Sequence, residues 1–419
     1  MRAEIKERIA LIERGEVPEG YRKSKIGICP SDWECLHIDE IAELNPGKEK
    51  ADAETVVTFL GMSDISDSAK VITPQEKKYA EVSNGFTAFR ENDVLIAKIT
   101  PCFENGKGAL VRELKNGIGF GSTEFHVVRA KKRGDEIYIY LQSCSERFRK
   151  TGEKYMIGTA GQKRLPMDFI SGFLIGYPKT DQEKNKIYEY IKTWDRAIEL
   201  KEKLLEQKKL QKKGLIERLL TGKVRLPGFT DEWQYVKAGE IFGNSANKKH
   251  AGIGEVLSSM QDRGIVPRSQ VDIDIKYDAD SVTSYKKVEA GDFVISLRSF
   301  QGGIEYSEYE GLISPAYTVL KNKTDIDTGF YKELFKSANF IRRLNSVIYG
   351  IRDGKQIGYD DFSTLKLPYP PKAEQSAIAK VFQAANNEIA VLQNEISQLK
   401  TQKNGLMQLL LTGKVRVSC

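Results

Sequence analysis

The chain has 419 residues, a hydrophobic content of 40% and 65 Lys and Arg residues against 58 Asp and Glu, which gives a net charge of +7. This length allows about two to four domains of roughly 100–200 residues, and the modest positive charge is compatible with nucleic-acid binding without requiring it. No apolar run approaches the roughly 20 residues that span a bilayer, which argues against a membrane protein. The charged N-terminal segment lacks the apolar core of a secretory signal. The five scattered cysteines are therefore expected to be free thiols in the cytosol.

The first predicted element is an N-terminal arm over residues 1–27, which repeats a string found later in the chain. Its LIER at 11–14 recurs at 215–218, and the PEGY that follows resembles the LPGF after Arg225. We expect the arm to imitate the exit of a later helix. The chain would then be pseudo-cyclic, with its two termini near each other.

A globular part with mixed helix and strand is predicted over residues 28–180. Short β-rich runs bounded by Gly, Asn and Pro predict strands at 93–99 and 124–128, and residues 137–148 have the pattern of a helix. A central long helix then extends over residues 181–222.

A second globular part is predicted over residues 223–371, and a C-terminal long helix and tail follow over 372–419. Strands are expected at 292–297 and 317–320, and a helix at 329–344. Four aromatic residues at matched places in the two globular parts are expected to pack in the cores: Trp33, Phe125, Trp233 and Tyr317.

An internal repeat relates the two halves of the chain. The string QKKGLIERLLTGKVR at 211–225 recurs as QKNGLMQLLLTGKVR at 402–416, an offset of 191 residues (413 − 222). Weaker matches extend the repeat, with offsets that drift from 191 to 200 as small loop insertions would produce: Ile187 with Ile378, Ser122 with Ser314, Asp93 with Asp292, and Trp33 with Trp233. The chain is therefore two diverged copies of one unit, each a globular part followed by a helix.

Both long helices carry an apolar seam in which residues recur three and four apart, the spacing of a coiled coil. The seam of the second helix includes Ile389, Leu392, Ile396 and Leu399. About 40 residues at 1.5 Å each make a helix of roughly 60 Å. An extended single helix or a partner-binding helix remains an alternative. Two matched seams in one chain are most simply explained by pairing with each other, antiparallel if the copies are related by a two-fold axis.

Motifs for catalysis are missing from the sequence. It contains no phosphate-binding G-x-x-x-x-G-K-[ST], no N/D-P-P-Y/F tetrad of amino-methyltransferases and no nucleophilic G-x-S-x-G. The three histidines and five cysteines do not form a metal-binding spacing. We therefore expect no metal site and no chemistry by the chain alone.

Polar loops in both copies interleave basic, hydroxyl and amide side chains of the kind that contact bases and phosphates. The predicted DNA contacts of the first copy are Lys98, Thr100, Lys107, Ser122, Thr123, Lys150, Lys154, Lys163 and Arg164. Those of the second copy are Arg298, Ser299, Gln301, Ser314, Arg342, Arg343, Arg352, Lys355 and Gln356. Loops of most soluble proteins are polar, so the prediction is made for the loops as a set.

The sequence resembles the specificity subunits of type I restriction-modification systems over nearly its whole length. The similarity lies in paired globular parts closed by helices ending in LTGKVR, and in the strings GMSDIS (61–66), GSTEFHVVR (121–129), GTAGQKR (158–164) and SPAY (314–317). The resemblance implies an α+β fold in which two target recognition domains are separated by an antiparallel coiled coil. It also implies that each domain reads half of a bipartite DNA sequence.

The same resemblance implies that the helices space the half-sites and dock two modification subunits, to which restriction subunits add. S-adenosylmethionine, ATP and Mg²⁺ would be used by those partners and not bound by this chain. Three lysines that interrupt the helical seams become candidate partner contacts: Lys208, Lys212 and Lys403. A methylation-only or orphan specificity subunit, a coiled-coil scaffold that binds protein, and an independent methyltransferase remain alternatives.

Overall fold

The computed structural model describes residues 3–159, 161–250, 252–271, 279–297, 299–346 and 357–417. The chain divides into two compact units. Unit 1 comprises Met1–Leu200 and Glu395–Cys419, and unit 2 comprises Lys201–Asn394. Each unit thus contains one globular part together with a stretch of each long helix.

Unit 1 contains short strands and helices, and its last helix continues into unit 2. Its strands are β1 (Tyr21–Ser24), β2 (Gly27–Pro30), β3 (Glu34–His37), β4 (Ala42–Leu44), β5 (Val56–Leu60), β6 (Gln75–Lys78), β7 (Thr87–Arg90), β8 (Val94–Ala97), β9 (Gly108–Leu110), β10 (Ile118–Gly121), β11 (Phe125–Ala130) and β12 (Leu174–Tyr177). Its helices are α1 (Ala3–Glu13), α2 (Ile38–Ile41), α3 (Tyr79–Val82), α4 (Asp135–Cys144), α5 (Glu146–Tyr155), α6 (Met167–Ser171) and the first part of α7 (Asp181–Leu219).

Unit 2 is built in the same way and ends in a helix that continues into unit 1. Its strands are β13 (Gln234–Lys237), β14 (Phe242–Ser245), β15 (Leu257–Met260), β16 (Gly264–Pro267), β17 (Lys286–Val288), β18 (Phe293–Ile295), β19 (Glu305–Tyr306), β20 (Gly311–Ile313), β21 (Thr318–Asn322) and β22 (Lys366–Tyr369). Its helices are α8 (Ala238–Ile241), α9 (Ser299–Gly302), α10 (Thr328–Lys336), α11 (Ala338–Ser346), α12 (Tyr359–Ser363) and the first part of α13 (Lys372–Leu411).

One four-stranded sheet repeats between the units, whereas the other four-stranded sheet of unit 1, β6-β5-β10-β7, contrasts with the separate pairs β15-β16 and β17-β20 of unit 2. Unit 1 has a four-stranded sheet in the order β4-β11-β8-β9, and unit 2 has one in the order β14-β21-β18-β19. Ala42 pairs with Ala130 in the first sheet, and Phe242 pairs with Asn322 in the second. A two-stranded pair, β12 with β3 and β22 with β13, also recurs. The mixed fold class and the repeat predicted from the sequence are confirmed.

One prediction about the helices is wrong. The sequence pattern indicates a single helix at 137–148 and another at 329–344, but the structure breaks each into two, α4 with α5 and α10 with α11. At each break a serine side chain caps the next helix: Ser145 accepts from the amide of Phe148, and Ser337 from that of Phe340, both at 3.2 Å. This capping satisfies an amide that has no partner within its helix, so the chain turns at the serine.

The long helices have the predicted seams and pair antiparallel within each unit. In unit 1, Asp195 of α7 is 2.6 Å from Lys403 of α13. In unit 2, Lys208 of α7 is 2.7 Å from Glu388 of α13. The seam residues Ile198 and Ile396 of unit 1 and Leu205 and Leu392 of unit 2 are at most 9% exposed. No helix within the described residues combines the length and apolar character needed to cross a bilayer.

At the start of α7 in unit 1, an arginine and a tryptophan both donate hydrogen bonds to one glutamate, an arrangement called the closure below. Arg416, in the tail after α13, donates to Glu183 at 2.7 Å, and the indole of the buried Trp33 donates to the same carboxylate at 3.2 Å. Tyr21 of the N-terminal arm donates to the carbonyl of Gly413 at 2.9 Å. The arm and the last described residues therefore meet in this unit, as the pseudo-cyclic repeat predicts.

The same closure is present in unit 2, where α13 begins. Arg225, in the turn after α7, donates to Glu374 at 2.6 and 2.7 Å, and the indole of Trp233 donates to Glu374 at 2.9 Å. Each TGKVR string thus ends in an arginine that fastens the start of the other long helix. Trp33 and Trp233 have the packing role predicted for them.

Candidate nucleic-acid interface

Three of the polar segments singled out in the first copy meet at one edge of unit 1. The amide of Lys98, just after β8, donates to the carbonyl of Glu124 at 2.9 Å, and the amide of Leu165 donates to the carbonyl of Lys98 at 2.7 Å. The amide of Thr100 donates to the carbonyl of Lys163 at 3.0 Å. Backbone pairing therefore brings together chain segments that are about 25 to 65 residues apart in the sequence.

The loop that carries Arg164 is pinned by antiparallel bridges to two other segments. Arg164 exchanges backbone hydrogen bonds of 2.8 and 3.0 Å with Ile157, and it also bridges to Ile99. Between these points the chain turns through Gly158 and Gly161, whose positive φ angles of 134° and 83° suit glycine. The loop base is thus anchored, although its residues are mostly exposed.

The side chains at this edge are polar, and several are available to a ligand. Lys163 and Thr123 are exposed, while Lys98 is half-buried. The Thr100 hydroxyl donates to Glu104 at 2.8 Å, and the Ser122 hydroxyl accepts from the amide of Glu124 at 3.2 Å. The six predicted contacts brought together here are Lys98, Thr100, Ser122, Thr123, Lys163 and Arg164.

Glu124, which the sequence pattern does not indicate as a contact, holds the guanidinium of Arg164. Its carboxylate accepts from Nε at 3.0 Å and from Nη2 at 2.9 Å. The hydrogen bond from Arg164 lowers the pKa of Glu124 below its usual value, with a further contribution from Lys98, so the carboxylate is ionised at neutral pH. Carboxylates are common on surfaces, and only the fold reveals this pairing of residues 40 positions apart.

Three further predicted contacts of the first copy have other surroundings. The ammonium of Lys107 donates to the carbonyls of Met62 and Ile65 at 2.9 and 2.8 Å, which joins two loops. Lys150 forms an ion pair with Glu146 one turn earlier on α5. Lys154 is exposed near the end of the same helix. Lys107 therefore has a structural role in addition to any contact with DNA.

In unit 2 the described candidates have diverse environments. Ser299 is buried and accepts from the amide of Ser296 at 2.8 Å, whereas Gln301 is exposed. The Ser314 hydroxyl accepts from the amide of Ala316 at 3.4 Å, at the turn before β21. Ser299 therefore supports its own loop, and Gln301 is the more accessible of the two.

Arg342 and Arg343 lie on α11 beside a basic groove of unit 2. Arg343 donates to the carbonyl of Lys366 and so tethers α11 to β22, while Arg342 is exposed. The groove has a volume of about 710 Å³, and Lys213 of α7 and Lys223 in the turn after it contribute to its wall. The remaining candidates of the second copy lie outside the described residues: Arg298, Arg352, Lys355 and Gln356.

The three seam lysines predicted to contact partner subunits already form ion pairs within their own units. Lys403 pairs with Asp195 in unit 1, and Lys208 pairs with Glu388 in unit 2. Lys212 is 2.9 Å from Glu333 of α10. These pairs explain how charged residues are accommodated in an apolar seam, and the assignment to partner contacts stays a prediction.

Among the described residues, no three or more His, Cys, Asp and Glu side chains are grouped closely enough to hold a metal ion. The cluster in unit 1 offers instead three cations and two carboxylates, Glu104 and Glu124, on an anchored strand edge. Such a set can contact phosphate oxygens and the donor and acceptor groups of base edges.

Comparison with known proteins places these features in a family. The family described as "Type I restriction modification DNA specificity domain" matches residues 30–209 and again residues 230–401. The specificity subunit of the type I restriction enzyme EcoAI from Escherichia coli is 36% identical over 209 residues, which cover 48% of this chain and 35% of that protein. The match thus spans about a third of that relative's length.

Two further comparisons extend along nearly the whole chain. The putative type I restriction enzyme MjaX specificity subunit from Methanocaldococcus jannaschii is 25% identical over 95% of this chain and 97% of its own length. A solved chain from a study of complex assembly and conformational transition in a type I restriction-modification system has 17% identity and a TM-score of 0.62, covering 92% of this chain and 99% of that chain. The duplicated fold and the double family match together show that this chain belongs to the type I restriction-modification DNA specificity family.

Proposed function

We propose that this chain is the DNA-reading subunit of a type I restriction-modification complex and that it carries no catalytic site of its own. The globular part of each unit reads one half of a bipartite DNA target. The duplicated Trp–Glu–Arg closure carries the proposal, because it builds one scaffold twice while the loops on the scaffold differ. Two similar scaffolds with different loops suit a target with two different halves.

The long helices space the half-sites and dock modification subunits, two in the complete complex, and restriction subunits join through that complex in the cytoplasm. Exposed apolar side chains on the long helices are available to a docked partner. Tyr190 and Leu200 are 54% and 51% exposed on the unit 1 part of α7, and Leu210 is 68% exposed on the unit 2 part. The partners bind S-adenosylmethionine, ATP and Mg²⁺, and this chain binds none of them.

The proposal is tested by producing the chain with its cognate modification subunit in a host that lacks adenine methylation. We expect methylated adenines in a bipartite sequence with a fixed gap, found by single-molecule sequencing of the genome. Hosts with the chain alone or the modification subunit alone are the controls and should show no such pattern. Methyl transfer by the purified chain, or an unchanged pattern without it, would contradict the proposal.

Binding measurements test the division of labour. The isolated chain should bind DNA weakly, and sequence-specific affinity should appear with the modification subunit. Affinity should fall steeply with salt, because phosphate contacts release counterions. Equal sequence-specific nanomolar binding by the isolated chain would contradict the proposed need for a partner.

A further inference from the structure

The pairing of Arg164 with Glu124 leaves one edge of the guanidinium free. Glu124 accepts from Nε and Nη2 at 2.9 to 3.3 Å, which occupies one side of the planar group. A guanidinium has five N–H donors, so both donors of Nη1 and the second donor of Nη2 remain. Two parallel donors at this end match O6 and N7 of guanine in the major groove.

Both members of the pair are held in place before any ligand arrives. The backbone of Arg164 bridges to Ile99 and Ile157, and the carbonyl of Glu124 accepts from the amide of Lys98. The side chain of Glu124 is 23% exposed and that of Arg164 is 49% exposed. The carboxylate is therefore largely covered while half of the arginine surface faces outward. Such preorganisation lowers the entropy lost on binding.

The Arg164–Glu124 pair differs from the ion pairs of the closures in its burial and in its presence in the two units. The Arg–Glu closures at Glu183 and Glu374 are present in both units, and their carboxylate side chains are 2% and 0% exposed. The strand register that aligns Ala130 with Asn322 gives an offset of 192 (322 − 130). The same offset aligns Glu124 with Ala316, which has no carboxylate.

The position aligned with Arg164 also differs in the second copy. In the sequence, the offset of 192 takes Gly158 to Gly350, Lys163 to Lys355 and Arg164 to Gln356, which lies outside the described residues. An Arg with Glu in one copy and a Gln with Ala in the other suits two readers of different bases, since Arg favours guanine and Gln favours adenine.

The surrounding charge suits contact with DNA. Lys98 and Lys163 lie on the paired segments that carry Glu124 and Arg164, and with Glu104, which accepts from Thr100, the cluster has three cations, two carboxylates and a net charge of +1 (3 − 2). The carboxylate of Glu124 is covered by Arg164 on one side, which reduces its repulsion of phosphates. The remaining cations are available to the DNA backbone, and the free edge of Arg164 is available to a base edge.

We propose that Arg164 reads a guanine in the half-site bound by unit 1, and that Glu124 is the positioning residue that fixes the arginine for that contact. This inference rests on the proposed function, since it names the base chemistry of one reading domain. A guanidinium held on one side by a carboxylate can present its other edge in only a few orientations. Discrimination at one base pair then follows from a contact that other bases cannot match.

The test uses the complex of the full chain with its modification subunit and begins from the wild-type methylated sequence. Duplexes that carry each alternative base at each half-site position are compared by competition binding. Arg164→Ala and Arg164→Lys should lose about 5- to 150-fold in preference for one guanine, the equivalent of one bidentate base contact. Glu124→Gln, which keeps the shape of the side chain, should weaken discrimination at that same guanine. Preference at the other positions should be kept.

Arg14→Ala is the matched control, because Arg14 forms an exposed ion pair with Glu16 in the N-terminal arm. It should bind like wild type. Retained preference at the other positions of the unit 1 half-site reports that unit 1 of each variant is folded, and recognition of the half-site of unit 2 reports that the complex is assembled. Absence of any bipartite wild-type pattern would overturn the proposed function and this inference together.

Other outcomes overturn the inference alone. An unchanged methylated sequence with the Arg164→Ala complex would show that Arg164 does not contact a base. A uniform loss of affinity for all sequences, with a smaller salt dependence, would assign Arg164 to a phosphate. If the Glu124→Gln complex discriminated bases like wild type while the Arg164→Ala complex did not, Glu124 would have no positioning role.

Discussion

Replacing Arg416 by alanine should destabilise unit 1 and leave unit 2 unchanged. The guanidinium donates to Glu183 at 2.9 and 2.7 Å and to Asp32 at 2.9 and 3.0 Å. The side chain of Glu183 is only 2% exposed. Without Arg416, this covered carboxylate keeps the indole of Trp33 as a hydrogen-bond donor but has lost its charged partner.

The size of the effect follows from the burial of the two groups. Removing one partner of a buried ion pair typically costs roughly 3–5 kcal/mol, because the remaining charge is uncompensated. The side chain of Arg416 is 35% exposed, so water can enter the space that it leaves and hydrate Glu183. We therefore expect Arg416→Ala to lower the free energy of local opening of unit 1 by about 3 kcal/mol, the lower end of this range. At about 1.4 kcal/mol per tenfold, opening becomes roughly 10²-fold more frequent.

Hydrogen exchange with mass spectrometry on the intact chain measures this change locally. Peptides from residues 28–41 and 181–195 of unit 1 should exchange faster, and those from 228–241 and 372–386 of unit 2 should not. Arg225→Ala is the matched variant and should reverse the pattern. Equal acceleration in both units, or none in either, would refute the account of the closure.

Three other expectations concern a helix cap, a buried histidine and modular reading. Ser145→Ala should destabilise the helix at 146–155 by about 1 kcal/mol, seen as faster amide exchange there; unchanged exchange would exclude the cap. Burial lowers the pKa of His126 below the unfolded value of about 6.5, so folded unit 1 favours the neutral imidazole. The resulting stability is fully present above about pH 6.5 and is lost as the pH falls through the lowered pKa. His126→Gln should flatten the dependence of the unit 1 melting temperature below pH 6.5, and equal slopes would contradict this. Exchanging residues 223–371 for those of a relative should alter one half of the methylated sequence, and a change in both halves would oppose modular reading.

The repeat made much of the scaffold predictable, because it is a long-range relation visible in the sequence itself. The matched strings ending in Arg225 and Arg416 indicate two equivalent helix exits. Their partners Glu183 and Glu374 are separated from them by 149 to 233 residues, so the sequence alone could not pair them. The apolar seams were predictable because helical periodicity is local.

The breaks at Ser145 and Ser337 show where periodicity misleads. Apolar residues continue in helical spacing across both serines, so a pattern search joins the two helices. The competing interaction is a single hydroxyl that caps the next turn and donates back to a carbonyl, to Gln142 at 2.7 Å in unit 1. A serine inside a helix is common enough that its side chain reveals a break only in the structure.

At the candidate interface, residue type predicted which side chains are exposed better than it predicted their hydrogen-bond partners. Arg164 was selected for its basic, Gly-flanked loop, and the structure leaves half of its side chain exposed. Lys107 was selected by the same argument, but its ammonium donates to the carbonyls of Met62 and Ile65. Glu124 was missed because acidic residues repel DNA when considered singly. Its importance depends on the neighbour that it holds.

Comparison of the two copies separates ion pairs that build the scaffold from those that can vary with the target. Asp93 is 2.8 Å from Arg129 in unit 1, and the aligned Asp292 is 3.6 Å from Lys321 in unit 2. Both aspartate side chains are at most 9% exposed, and in each copy a basic side chain within ion-pair distance compensates the charge. Losing one member of such a pair would leave a buried charge, which favours keeping an oppositely charged partner as the copies diverge. The partly exposed Glu124 is under no such constraint, because water can replace its partner, and a reading position can therefore change without unfolding the domain.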